Sequence, residues 1–185
     1  GYVTHDIYRE AYADGVARAE AALAANPENT DLLHAAAAAR FASVQGPLWE
    51  DLDDDEYKPL PLNDDMKVAL ARYDQLQRKN PTDFFAVNQI TRFYGNSTEP
   101  ATDGALDAAK MIDRRYMDSF NPNDGMNLAV IYAKRGYEFY ACEYYQKSLD
   151  SVKGFKDRQL GNFKARMDWF KVNYGSNCED INDES

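Results

Sequence analysis

Apolar residues recur along this chain at three- and four-residue intervals. No segment alternates apolar and polar in the way a half-buried strand does. The spacing predicts eight helices. The first spans about Asp6 to Ala25, with Ala11, Gly15, Ala19 and Ala22 on one stripe and Leu23 near its end. The second, Asn29 to Val44, is alanine-rich and carries Leu32, Leu33 and Phe41. The third, Asn63 to Lys79, carries Val68, Ala69, Tyr73 and Leu76, and the fourth, Thr82 to Tyr94, carries Phe84, Val87, Ile90 and Phe93. The fifth, Thr102 to Phe120, has Leu106, Ala109, Ile112 and Tyr116; the sixth, Asn123 to Arg135, has Met126, Leu128, Ile131 and Tyr132. The seventh covers Gly136 to Leu149, and the eighth, Lys156 to Tyr174, carries Leu160, Phe163, Met167 and Phe170.

Three Asn-Pro pairs punctuate this pattern: Asn26-Pro27, Asn80-Pro81 and Asn121-Pro122. Proline cannot continue a helix but suits the first turn of the next, so each pair reads as a stop followed by a start. The prolines lie 54 and 41 residues apart.

Leu128, Ala129, Tyr132, Gly136, Ala141, Tyr145, Ser148 and Leu149 follow one another as a small-and-aromatic signature across two helices. Ala69, Tyr73, Leu76 and Pro81 repeat its second half, and so do Gly15, Ala19, Ala22, Leu23 and Pro27, with alanine in the aromatic position. In this order the residues resemble the tetratricopeptide repeat (TPR) superfamily, over about two-thirds of the chain. Its period of about 34 residues makes the longer Asn-Pro spacings read as two insertions. Small residues let paired helices approach, and aromatics fill the space between pairs. Two features depart from the signature: Lys153 stands where the last repeat should close with proline, and the 102–120 helix fits poorly. The resemblance implies an all-α fold, a right-handed α-solenoid of antiparallel helix pairs. It has three to four repeats and a C-terminal capping helix, in a single domain over 1–185.

The first insertion, 45–62, holds three prolines and is read as non-helical. Leu48, Trp49, Leu52, Tyr57, Leu60 and Leu62 could pack as a strap over a helix pair, or Trp49, Asp51, Asp53, Asp55 and Tyr57 could recognise a partner. Asp51, Asp53 and Asp55 are also spaced like the first ligands of a calcium loop, but Glu56 stands where such a loop needs glycine and Leu62 where it needs glutamate, so no metal is expected. The second insertion, 95–103, is a polar turn containing the glycosylation triplet Asn96-Ser97-Thr98.

Charge narrows the set of partners. With 31 acidic against 21 basic residues the chain carries a formal −10, which repels phosphate backbones and anionic lipid. No apolar run reaches the roughly 18 residues of a membrane span. Neither nucleic acid nor membrane insertion is expected. Only His5 and His34 could serve as imidazole bases, and no nucleophile elbow, zinc motif or phosphate loop is present. An enzyme and a cofactor are therefore not expected.

Binding is the better-supported expectation. In the TPR family the first helix of each pair lines a concave groove that holds extended peptides. Carried over residue by residue, the resemblance puts His34 and Phe41 in the groove. The fourth helix would add Phe85, Asn88, Gln89 and Arg92; the sixth would add Met126, Asn127, Val130 and Lys134. Asn88, Arg92 and Asn127 only loosely match the family's carboxylate clamp, so no chaperone tail is inferred. The partner is a protein or peptide, with the chain as a scaffold or accessory subunit. The alternatives are an exported accessory protein that binds a small ligand or self-assembles, and, third, an unrecognised hydrolase. The eighth helix either caps the last repeat or forms a homo-oligomer contact.

Cys142 lies early in the seventh helix and Cys178 just beyond the eighth. If those helices pack antiparallel, a disulfide can form and would pin the acidic tail, 175–185; two unrelated thiols are the equal alternative. The bond, together with a chain opening on Gly1, would weigh toward a periplasmic or other extracytoplasmic location.

Overall fold

A computed structural model describes residues 2–49, 56–115, 120–156, 160–176 and 178, without the side chains of 2–11, 44–49, 114 and 115. Among these residues there are eight helices and no strand. They are α1 (Tyr2–Ala25), α2 (Thr30–Trp49), α3 (Asp64–Lys79), α4 (Phe84–Asn96), α5 (Asp103–Arg115), α6 (Pro122–Lys134), α7 (Glu138–Ser151) and α8 (Asn162–Asn173). The helices pack against their neighbours in two compact units, 1–51 with 62–89 and 52–61 with 90–185. The boundary falls inside α4.

In the first unit α2 packs closely against both α1 and α3. Leu23, Leu33, Ala36, Ala37, Met66, Ala69, Tyr73 and Leu76 are buried, and the alanines keep the axes close. Glu20 of α1 accepts from Arg40 of α2 at 2.5 Å and from Arg72 of α3 at 2.6 Å, so one carboxylate ties three helices. Its pKa is lowered, first by the Arg72 hydrogen bond.

Asp74 of α3 is less well served. Its Oδ1 is buried with no hydrogen-bond partner among the described residues, and burial raises its pKa from 3.8 to about 6, while Arg78 pulls it back. A raised folded pKa means that the stability tied to this group is complete below about pH 4 and is lost as pH rises through 6. After discounting for partial exposure, the loss is on the order of 1–2 kcal/mol. Asp74→Asn should raise the urea midpoint of this unit at pH 8 and leave it nearly unchanged at pH 4. Equal shifts at both pH values would refute the assignment.

In the second unit α6 and α7 form the closest pair. Their turn explains why. Gly136 adopts φ +75°, its N–H bonds Ala133 O, and Tyr137 N–H bonds Tyr132 O, the double closure that lets a helix end in one residue. Tyr137 then packs edge-on to Tyr132 at 6.3 Å. Gly125 permits the close approach: a Cβ there would lie 2.4 Å from Ser148 Oγ.

Several boundaries differ from the expectations. α2 continues through Pro47 to Trp49, although the prolines of 45–62 were read as excluding helix. Pro47 lacks only the single N–H that would bond Ser43 O, and the helix ends two residues later. Only Asn121-Pro122 starts a helix directly, with Asn121 Oδ1 accepting from Asn123 N. After the other two pairs the caps are Asn29, accepting from Asp31 N, and Asp83, accepting from Ala86 N. The eighth helix begins at Asn162 rather than Lys156, behind Gly161 at φ +50°. The seventh and eighth helices were expected to be an antiparallel pair. Instead α7 pairs with α6, and α8 reaches α6 through Arg166 and α7 through a Phe170–Tyr145 ring stack at 5.1 Å.

Candidate functional site

The side chains of α5, α6 and α7 leave a half-open cleft of about 440 Å³ in the second unit. Helical spacing builds it. Ile112 and Asp113 come from the last turns of α5, Asp124, Gly125 and Leu128 from one stripe of α6, and Tyr144, Lys147 and Ser151 from one stripe of α7. Phe120 and Asn121 close one end and Asp150 stands on the rim. The walls are apolar where Ile112, Phe120, Leu128 and the Tyr144 ring meet, and polar groups converge above them. This combination is typical of small-molecule and peptide sites.

The polar groups are held in place. The Tyr144 hydroxyl donates to Asp113. Tyr144 also stacks on Tyr132, with ring centroids 5.8 Å apart and planes 10° from parallel, so its ring cannot swing. The Lys147 ammonium sits 5.0 Å from the Tyr144 ring centroid and pairs with Glu143 at 2.6 Å. Asp124 is half-buried, and burial pushes its carboxyl up, while Arg92 and Arg166 pull it back. Asp150 pairs with Lys153 at 2.5 Å and accepts from Gln146, and these bonds hold its carboxyl below the ordinary range. The Ser148 hydroxyl donates to Tyr144 O at 2.8 Å, so it serves the helix rather than the cleft. The arrangement offers recognition: fixed acceptors, one ammonium and an aromatic wall.

Comparison with protein-family models, curated proteins and solved structures returned no match.

The groove residues expected from the TPR resemblance divide between the two units. Phe85 stacks on His34 at 4.8 Å and meets Tyr73 edge-on, while His34 Nδ1 lies 3.3 Å from Asp83. Gln89 is buried and Asn88 is half-buried, both in the first unit. Arg92, Asn127 and Lys134 belong to the second. There Met126, Asn127 and Val130 are buried, and Arg166 of α8 reaches Asn127. Asn127 is 4 % exposed, and its Oδ1 accepts from Asn96 Nδ2 at 2.9 Å and from Arg166 at 2.6 Å. Lys134 Nζ donates to Tyr94 O, Ser97 O and Glu99 O at 2.7, 2.6 and 2.8 Å. It organises a turn and offers nothing to a carboxylate ligand.

In the inserted loop, Asp51, Asp53 and Asp55 and the Trp49 side chain lie outside the described residues. Tyr57 packs edge-on to Trp169 at 5.4 Å, and Leu60 pairs with Ser97 in a short parallel bridge. Its end is thus a strap laid on the second unit. The Asn96 side chain of the glycosylation triplet donates to Arg92 O and Asn127 Oδ1, which engages its amide inside the fold. Cys142 and Cys178 are joined by a disulfide, with Cα atoms 5.1 Å apart. Among the described residues no helix is long and apolar enough to cross a membrane.

The cleft residues Asp113, Asp124, Tyr144 and Lys147 were missed by sequence reasoning. The signal was partial. Tyr140, Tyr144 and Lys147 share one stripe of the seventh helix, but the role of Asp113 depends on how α5 meets α7.

Proposed function

We propose that the chain is a non-enzymatic binding module that holds a segment of another protein in the α5–α6–α7 cleft. The observation that carries this reading is the cleft itself, where an aromatic wall meets fixed hydrogen-bonding groups on three helices. A peptide has alternating apolar side chains and backbone polar groups, and the cleft offers a partner for each. The TPR-like reading belongs to the same proposal. It is supported by close packing of α6 on α7 and of α2 on α3, the pairings that the signature residues imply. The Cys142–Cys178 bond favours an oxidising, extracytoplasmic setting.

The test is selection of displayed random peptides on the immobilised protein, followed by titration of the best synthetic peptide. Tyr144→Phe removes the hydroxyl that meets Asp113 and keeps the ring, and Lys147→Ala clears the ring face. Each should weaken capture by about fivefold to tenfold, the worth of one hydrogen bond or cation–π contact. Selected peptides whose affinity ignores both changes would remove the cleft as the site.

A further inference from the structure

Helix α8 is bound to its own chain as a partner helix would be. Phe163, Arg166, Met167 and Phe170 are its buried residues, at the spacing of the anchors of an amphipathic helix in a groove. Lys164, Asp168, Lys171 and Val172 are exposed. The central anchor is an arginine 5 % exposed. Its guanidinium donates to Gly95 O at 3.0 Å, to Asn127 Oδ1 at 2.6 Å and to Asn123 O at 3.4 Å, and lies 5.5 Å from the Tyr57 ring centroid. Asp124 adds a favourable charge.

These groups come from α4, α6 and the strap, and they form a receptor for a guanidinium. Gly95 makes it possible, because a Cβ there would lie 2.7 Å from Asn127 Cα. Yet the fit is incomplete. Among the described residues Arg166 Nε has no acceptor, and burying a cation without full hydrogen bonding is unfavourable. Before the helix lie two glycines in the left-handed region, Gly154 at φ +90° and Gly161 at φ +50°, which suit a hinge. Behind it, the Cys142–Cys178 bond fastens the chain to α7.

We propose that α8 is a releasable occupant of this arginine receptor. The disulfide latches it in place, and reduction opens the receptor to an arginine-bearing amphipathic helix of a partner protein. A dithiol reductant supplies two electrons and two protons. The Sγ–Sγ bond breaks, Cys142 and Cys178 become thiols, and the dithiol closes to its own disulfide. This site is separate from the cleft, and neither proposal depends on the other.

The test uses the full chain, oxidised, reduced with dithiothreitol, and as Cys178→Ser, which needs no reductant to reach the buried bond. Amide exchange in residues 163–173 should quicken in the reduced and Cys178→Ser chains by at least about tenfold more than in α6 and α7, whose protection falls only with the stability of the unit. A fluorescent peptide of residues 160–174 should bind Cys178→Ser at least about tenfold more tightly than the oxidised chain, and its Arg166→Ala version should not bind. Three results would overturn the proposal: α8 stays protected in Cys178→Ser, α6 and α7 lose as much protection as α8, or the Arg166→Ala peptide binds equally well.

Discussion

Cys142→Ser, made together with Cys178→Ser, is expected to lower the stability of the second unit by about 3–4 kcal/mol. The bond joins residues 36 apart. Closing a loop of that length removes on the order of 4 kcal/mol of entropy from the unfolded chain at 25 °C. Both cysteines are buried, so a serine hydroxyl that finds no partner there adds to the loss rather than offsetting it. The denaturation transition reported by Trp169 should therefore fall by on the order of 10 °C, and its urea midpoint should drop with it. A transition that moves by less than about 2 °C would show that the unfolded chain gains no freedom when the bond is absent.

Lys134→Met should be nearly as damaging, for the opposite reason: the loss lies in the folded state. The ammonium satisfies the carbonyls of Tyr94, Ser97 and Glu99, which are the orphan acceptors where α4 ends and the chain turns toward α5. Burial draws its pKa down to about 8, while the Glu99 carboxylate pulls it back up, so the ammonium is protonated at neutral pH. Methionine keeps the length and apolar stem but donates nothing. Hydrogen bonds to a charged group are worth about 1.5–3 kcal/mol each, and water can repair part of the loss, so a fall of about 3 kcal/mol is expected. Urea denaturation measures it. Lys134→Met with an unchanged midpoint would mean that the turn is satisfied without the ammonium. Lys134→Arg should recover part of the loss, because a guanidinium reaches the same carbonyls less well.

The helices were legible because their signals are local. Ala69, Tyr73 and Leu76 in α3 and Leu128, Ile131 and Tyr132 in α6 keep the helical period rather than a strand's alternation, and all six are buried. Asn121-Pro122 and Gly136 also mark ends that depend on backbone chemistry alone. Pro47 was misread because one missing N–H near a helix end is tolerated. Asn127 and Lys134 were misread because a polar residue on a helix does not reveal whether it faces solvent or another element.

By itself, the sequence determined the all-helical class, the α6–α7 turn and the positions at which cysteine, glycine and aromatic side chains were available. Each depends on neighbours within a few residues, where φ preferences, capping and the 3.6-residue period act. Tertiary structure decided which polar groups were consumed. Arg166 reaches Gly95 and Asn127 from 71 and 39 residues away, and Tyr144 meets Asp113 across 31. Burial also fixed the carboxyl of Asp74 and the ammonium of Lys134 in environments that no local pattern encodes. Desolvation depends on everything packed around a group, so a groove, a cleft and a latch become distinguishable only once the helices have met.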